Sequence, residues 1–292
     1  MKSIYKNVLL KLIDIACISI LPFLYIKFLL TKSPRICVLV YHKTSPDRYI
    51  DDKSWNVTPE TFSWQMEVLA KFGFRGIKID ELLKFIHGKE KISERAVCIS
   101  FDDGYKDNYI YAYPILRQNN LPGSFFIVSK YIGSSTSFPW LNENPAHLPL
   151  SWDKITEMRG GNMEFFSHSH GHTDFSKMSP ASMEEDISTS LKTIEEKLAT
   201  GSRQGFVCPF GIWGPPAREL ESKLTAQGIQ CAFLGKWGAI QQTKSPGAVM
   251  DLPRITIYGR DGKLTFISKL IGGADWLSSV YSLWHNFRVK RN

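Results

Sequence analysis

Two short stretches of this sequence hold polar groups that a folded chain does not place at the end of an apolar run without reason. The first is SFDDG, Ser100 to Gly104, in which two adjacent carboxylates follow a hydrophobic run and a glycine lets the chain turn sharply. Asp-Gly is also an ordinary turn dipeptide, so this motif alone is balanced between a strand cap and the rim of a pocket. The second is SHSHGHTDF, Ser167 to Phe175, with three histidines within five residues directly after another apolar run. His168 and His172, at i and i+4, can converge on one metal where the backbone between them turns, whereas His170 has the wrong spacing to join them. Two neutral imidazoles and one carboxylate suit Zn²⁺, and the same set accepts Co²⁺, Ni²⁺ or Fe²⁺.

If one aspartate binds metal, the other is free to act as a base, and this division suits hydrolysis of an unactivated amide. That reaction needs a deprotonated water, a polarised carbonyl and a proton for the leaving amine. A three-ligand metal with an open position lowers the pKa of water and polarises the acyl oxygen, and a neighbouring carboxylate takes the water's proton. His42, at the end of the first apolar run, is the best-placed acid in sequence terms, although a single histidine after a strand is more often structural.

These groups need elements to hold them. Ile36 to Tyr41 (ICVLVY), Ala96 to Phe101, Ser124 to Val128, Met163 to Phe166, Gly205 to Cys208, Cys231 to Leu234 and Leu252 to Tyr258 read as buried strands. Helices are expected from Thr58-Pro59-Glu60 onward, over about Asp107 to Gln118, near Trp152 to Met158, from Ser179-Pro180 onward, and over Pro216 to Gln227. In the fourth of these, Met183, Ile187, Leu191, Ile194 and Leu198 form one apolar stripe, the mark of a helix covering a core. Gly133 to Pro149 reads as a long surface loop. Six or seven strands alternating with helices, with polar residues gathered where strands end, predict an α/β fold of the (β/α) barrel kind.

Composition narrows the partners. The chain has 292 residues and is 43% hydrophobic, enough for one large core, and its 36 basic against 28 acidic residues give a formal charge of +8. That charge suits an acidic glycan or anionic headgroups; the cations are scattered and no nucleic-acid motif accompanies them, so no nucleic acid is expected. Five cysteines, an odd number without CxxC spacing, suggest neither a disulfide framework nor a cysteine-zinc site.

Three segments are expected. Residues 1–35 hold a hydrophobic anchor or signal-like segment, apolar from Val8 to Leu30 but interrupted by Lys11, Asp14, Pro22 and Lys27. The uncharged run Ile15 to Ile26 is short against the roughly 20 residues of a spanning helix, yet the flanking lysines can snorkel, and a membrane anchor is the favoured reading over a signal sequence or an in-plane helix. Lysines on both sides leave the orientation unset by charge, with the catalytic domain expected outside the cytoplasm. Residues 36–273 form the catalytic domain. Residues 274–292 place Leu277, Val280, Tyr281, Trp284 and Phe287 at helical spacing ahead of Arg288, Lys290 and Arg291, an amphipathic basic tail.

The motifs resemble those of the polysaccharide deacetylases, the NodB-like family or carbohydrate esterase family 4. SFDDG is similar to that family's first motif, which implies Asp102 as catalytic base and Asp103 as metal ligand. SHSHGHTDF is similar to the second, which implies His168 and His172 as the other ligands and leaves Asp174 structural. Cys208-Pro209-Phe210-Gly211 resembles the third, Arg-Pro-Pro-Tyr-Gly, in which the backbone amide at Phe210 would help hold the acyl oxyanion. Val207 stands where many members have an arginine that orients the base; Arg254, in LPRI, is a substitute only if the fold brings it near. VLVYH, Val38 to His42, resembles the N-terminal placement of the acid motif in the circularly permuted branch, which contains the poly-N-acetylglucosamine deacetylases of biofilm systems, and implies His42 as the acid. The resemblance covers about Ile36 to Leu270 and implies a distorted (β/α)₇ barrel, preceded here by an N-terminal hydrophobic helix.

The function implied is metal-dependent removal of N-acetyl groups from N-acetylhexosamine units of a polysaccharide or glycolipid. The alternative is a glycan-binding protein of the same fold that has lost catalysis, for which the valine at 207 and the displaced histidine argue. A glycosidase using Asp102 and a second carboxylate leaves the histidine cluster unexplained. Trp55, Tyr105, Trp140 and Trp213 offer faces on which a sugar could stack, and equally serve as packing.

Overall fold

Short β-branched and aromatic runs bounded by glycine, proline and polar residues become parallel strands, and the amphipathic stretches between them become the helices that cover the sheet. The computed structural model describes residues 12, 15–30, 35–46, 55–92, 95–141, 147–199, 203–212, 215–240 and 247–276. The elements are α1 (Leu21–Leu30), β1 (Ile36–Tyr41), α2 (Pro59–Lys71), β2 (Phe74–Gly76), α3 (Ile79–Ile86), β3 (Arg95–Asp103), a π-turn (Asn108–Ala112) running into α4 (Tyr113–Gln118), β4 (Gly123–Ile127), α5 (Trp152–Gly160), β5 (Met163–Ser167), α6 (Pro180–Leu198), β6 (Gly205–Val207), α7 (Pro215–Ala226), β7 (Cys231–Phe233), β8 (Ile255–Thr256) and α8 (Lys263–Ile271).

The strands form one parallel sheet in the order β7-β6-β5-β4-β3-β1-β8, with β2 also on β3. The two end strands approach through isolated bridges rather than a ladder, notably Trp237 with Arg254, so the sheet curls into an incomplete barrel with a seam between β7 and β8. Among the described residues the sheet has eight strands where six or seven are expected. The additional one, β2, is three residues long with a single buried side chain, too short for a period to register. In the other direction, the run Leu252 to Tyr258 yields only Ile255–Thr256, because Pro253 has no N–H for a ladder. Helices α3 and α8 are further elements that the expected series lacks.

Period-two alternation sorts the side chains. Along β3, Val97, Ile99 and Phe101 pack outward with the helices, while Ala96 and Cys98 join Val38, Phe126, Phe166, Val207 and Phe233 inside the barrel. Outside, Phe101, Phe125 and Phe165 stack across β3, β4 and β5 at ring separations of 4.7 and 5.1 Å. Helix α6 starts where Ser179 accepts a hydrogen bond from Ser182 N–H, with Pro180 in the first turn, and ends at Ala199 with φ of 58°. Its stripe from Met183 to Leu198 is buried as expected.

The N-terminal segment is helical over residues 15–19 and again over α1. Among the described residues no helix is long and apolar enough to cross a membrane. Helix α1 is ten residues long and lies on the barrel beside α8 and the start of β3. Phe28 is buried under the Arg95 guanidinium, 3.5 Å from its ring centroid, and Arg95 donates to the carbonyls of Phe28 and Phe72. Cys17 is tied in as well, its carbonyl accepting from Ser268 Oγ at 2.6 Å. The tail beyond residue 276, Trp213 and residues 1–11 lie outside the described residues.

Candidate metal-dependent active site

The inward parity of the strands continues past their ends. His42 follows β1 in the register of Val38, Asp102 follows Cys98 in β3, and His168 follows Phe166 in β5. Three polar side chains from separate motifs therefore enter the same end of the barrel without special loop chemistry. Asp103 has the outward parity of Phe101, and its left-handed backbone (φ 74°) breaks that alternation. The result is that neighbouring carboxylates, both buried, keep different company.

Asp103 faces the histidines. Its Oδ1 lies 3.4 Å from His168 Nε2 and 3.2 Å from His172 Nε2, and one ligand atom from each of the three residues lies within 4.8 Å of the others. Oδ1 is buried without a hydrogen-bond partner among the described residues. A buried anionic oxygen left in that state is costly unless a cation shares the space. His168 Nδ1 lies 2.9 Å from the Val207 carbonyl, which fixes Nδ1 as the protonated nitrogen and leaves the Nε2 lone pair toward Asp103. The donor set therefore fits a divalent metal. Burial pushes the Asp103 carboxyl up, but the two facing imidazoles more than reverse it and hold it well below the usual range. Burial lowers His168, and the Asp103 and Asp102 carboxylates outweigh that and raise it.

The i,i+4 histidines converge because the loop between them is held in two left-handed turns, at Ser169 (φ 70°) and His172 (φ 55°). Asp186, on α6, accepts from the N–H groups of His170 and Gly171 at 2.8 and 2.9 Å. Ser169 Oγ accepts from His172 N–H, and Ser190 Oγ donates to the Ser169 carbonyl. His170 points elsewhere, with Nδ1 2.9 Å from Ser129 Oγ, as its spacing predicts. Asp174 caps the short 3₁₀ turn Phe175–Lys177 by accepting from Ser176 N–H, a structural role. His172 is positioned by packing: Trp140 stacks on one side at 4.2 Å between centroids, and Phe210 lies at 4.8 Å. Phe210 is itself in a left-handed conformation (φ 61°) and largely exposed.

Asp102 faces away from this cluster to Arg254, which reaches in from the seam. Arg254 donates from both terminal nitrogens to the two carboxylate oxygens, at 2.8 and 2.9 Å. Its guanidinium passes the rings of Phe233 and Phe126, at 5.4 and 6.0 Å. Val207, where the resembling motif has its arginine, fills the barrel interior instead. The guanidinium is thus supplied from the residue before β8 rather than from the end of β6. Burial raises the Asp102 carboxyl, yet Arg254, His168 and His42 together outweigh it and leave the group below its ordinary value.

His42 Nε2 lies 4.0 Å from Asp102 Oδ2. Trp55 packs against the imidazole at 4.5 Å, and the His42 carbonyl accepts from Asn108 Nδ2 at 2.8 Å. Its Nδ1 is buried without a hydrogen-bond partner among the described residues. Burial is the largest influence on this histidine and lowers its pKa in spite of Asp102 and Asp103. His42, Asp102, Asp103, His168 and His172 lie together in one group, and the ring of Phe210 reaches it at His172. The supporting residues Asp186, Ser190, Ser129 and Asn108 are absent from the sequence reading, since each is one polar residue on a helix or turn with no distinguishing spacing.

Residues 89–229 match the family model described as polysaccharide deacetylase. Over 119 residues the chain is 32% identical to the poly-beta-1,6-N-acetyl-D-glucosamine N-deacetylase of Staphylococcus epidermidis, a match covering 40% of this chain and 38% of that one. The chain spans about half the length, or less, of the curated relatives it matches. Among solved structures, IcaB from Ammonifex degensii is similar with a TM-score of 0.68 at 19% identity, over 82% of this chain and 97% of that one. The Streptococcus pyogenes deacetylase PplD in complex with acetate gives 0.66 at 18% identity, over 82% and 99%. At such identities the likeness is one of fold.

Proposed function

We propose that this chain, whose residues 89–229 match the polysaccharide deacetylase family model, hydrolyses the N-acetyl groups of N-acetylhexosamine units in a glycan, releasing acetate and leaving a free amine. The observation that carries the proposal is the separation of two adjacent aspartates. Asp103 joins a two-histidine ligand set through a buried, unpartnered oxygen, while Asp102 is held by Arg254 beside an imidazole. Metal-assisted amide hydrolysis uses both a ligand set and a base, and these two aspartates supply one residue to each.

Asp103, His168 and His172 would hold the metal, which when bound supplies Lewis acidity that acidifies water and polarises the acyl oxygen; Zn²⁺ is the expected ion. The residues of the chain do the rest. Asp102, kept ionised by Arg254, takes the proton of the attacking water as its oxygen bonds to the acyl carbon. The N–H of Phe210 stabilises the oxyanion. His42, 4.0 Å from Asp102, takes up the proton that Asp102 has accepted and, made a stronger acid by its lowered pKa, gives it to the departing nitrogen as the C–N bond breaks. The arginine at 254 supports catalysis over the glycan-binding alternative, since the guanidinium missing at 207 is supplied from the residue before β8.

The direct test is acetate release from an N-acetylglucosamine oligomer by metal-replete protein. Chelator should abolish release, and Zn²⁺, Co²⁺ or Ni²⁺ should restore it to different extents. Protein that binds one metal and the oligomer but releases no acetate would favour the binding-only alternative. His42 has its own test, based on leaving-group chemistry. An amine must be protonated to leave, whereas a phenolate leaves unaided, so His42→Asn should cost about 10²-fold or more in kcat on the acetamide and far less on p-nitrophenyl acetate. Equal losses on both substrates would remove His42 from the acid role.

A further inference from the structure

The outer face of α1 is an exposed apolar feature that the active site does not use. Leu21, Leu24 and Phe28 pack inward against the barrel, but Phe23, Ile26, Leu29 and Leu30 point to solvent, Phe23 at 72% and Leu30 at 77% exposure. Leu264 of α8 continues the patch at 55% exposure. Between α1, α8 and the end of α2 runs an open groove of about 710 Å³ whose charged lining residues are Lys71 and Arg95, with no acidic side chain in the lining. Lys27 and Lys263, sequence neighbours of the lining residues Phe28 and Leu264, are also exposed. Isolated exposed leucines need no explanation, but a contiguous apolar face with a cationic rim marks an interaction surface.

We infer that this face docks in the plane of an anionic membrane surface, with the α1 side chains in the headgroup–acyl boundary and the lysines among the headgroups. Three observations select that occupant. Among the described residues no helix is long and apolar enough to cross a hydrocarbon core of about 30 Å. Arg95, through Phe28 and the two carbonyls it bonds, fixes α1 lengthwise on the barrel, so only one side of the helix is available. A symmetric pairing of two copies through this patch would set its cationic rim against itself, whereas anionic lipid complements it. The surface also leaves the active site accessible. Arg95 opens β3 and Asp103 closes it, and strand rise over that span separates groove from metal ligands by roughly 26 Å. On the proposed deacetylase reading, the bound enzyme would present its site to glycan rather than to the bilayer.

The test is cosedimentation of the full chain with vesicles of phosphatidylcholine, with and without phosphatidylglycerol. Binding should require phosphatidylglycerol and should weaken at high salt. Phe23→Glu/Ile26→Glu/Leu29→Glu should weaken it by about tenfold or more at an unchanged melting temperature. If the triple variant melts early, Leu30→Glu alone, at the most exposed position, should still weaken binding measurably. Wild-type protein that stays in solution overturns the inference, and so does a triple variant that binds as before. A dimer that the triple variant splits, without vesicle affinity, would assign the face to a second copy. None of these outcomes depends on acetate release, so failure here leaves the proposed reaction standing.

Discussion

Asp102→Asn is expected to lower kcat/KM for acetate release by about 10³-fold, the scale of a lost general base, while the protein still binds one equivalent of metal. Asp103→Asn is expected to lose activity and metal together. Neighbouring residues of the same type give opposite signatures because one meets two imidazoles and the other a guanidinium. The asparagine at 102 keeps the shape of the carboxylate but can neither accept the water's proton nor neutralise Arg254. Breaking a buried pair in this way costs about 3 kcal/mol, so rates should be referred to the folded fraction at each temperature. Metal analysis by mass spectrometry on the two variants, alongside acetate release, checks the assignment. An Asp102→Asn protein that arrives without metal would show that the two carboxylates share the ligand role, and the division proposed here would fail.

That division was only half legible in the sequence. The i,i+4 spacing brought His168 and His172 to notice, and the structure brings both onto Asp103. Residue pattern alone does not say which of two adjacent aspartates turns to them, because the answer lies in one backbone angle, the positive φ at Asp103. Strand parity was more informative than motif spacing for the remaining groups. His42, Asp102 and His168 each extend the inward set of their own strand, a relation visible in ICVLVYH, AVCISFDD and MEFFSH once the strands are aligned. What parity could not supply is pairing across the sheet. Arg254 precedes a two-residue strand after Pro253, and its approach to Asp102 depends on how β8 sits against β1, a contact between residues 152 positions apart. The N-terminal helix illustrates the same limit. Its hydrophobicity suggested an anchor, but Arg95, far along the chain, decides which side of it is buried.

Arg254 then carries the second large prediction. Its removal should shift the acid limb of the kcat/KM profile upward in pH. The sign follows from the groups around Asp102. Burial drives this carboxyl up, and Arg254 is the strongest of the influences that bring it down, with His168 and His42 behind it. The base must be ionised to act, so activity is lost as pH falls through its pKa. With Arg254→Met the downward pull is mostly gone, the pKa rises, and activity disappears at a higher pH than in the wild type. At neutral pH the loss should be about 10²-fold, partly recovered as pH rises, which a merely unfolded variant would not show. Arg254→Lys keeps the charge but not the fork that meets both oxygens, so it should restore the position of the limb more than the rate. Stability moves with pH in a related way. Because the native Asp102 pKa is depressed, the pair stabilises the fold above the ordinary carboxylate range, and that contribution fades as pH falls below it. Arg254→Met should therefore lose about 3 kcal/mol at neutral pH and less in acid, where the wild-type protein loses the same interaction. A profile whose acid limb stays in place in Arg254→Met would assign the limb to another group and leave Arg254 a packing role.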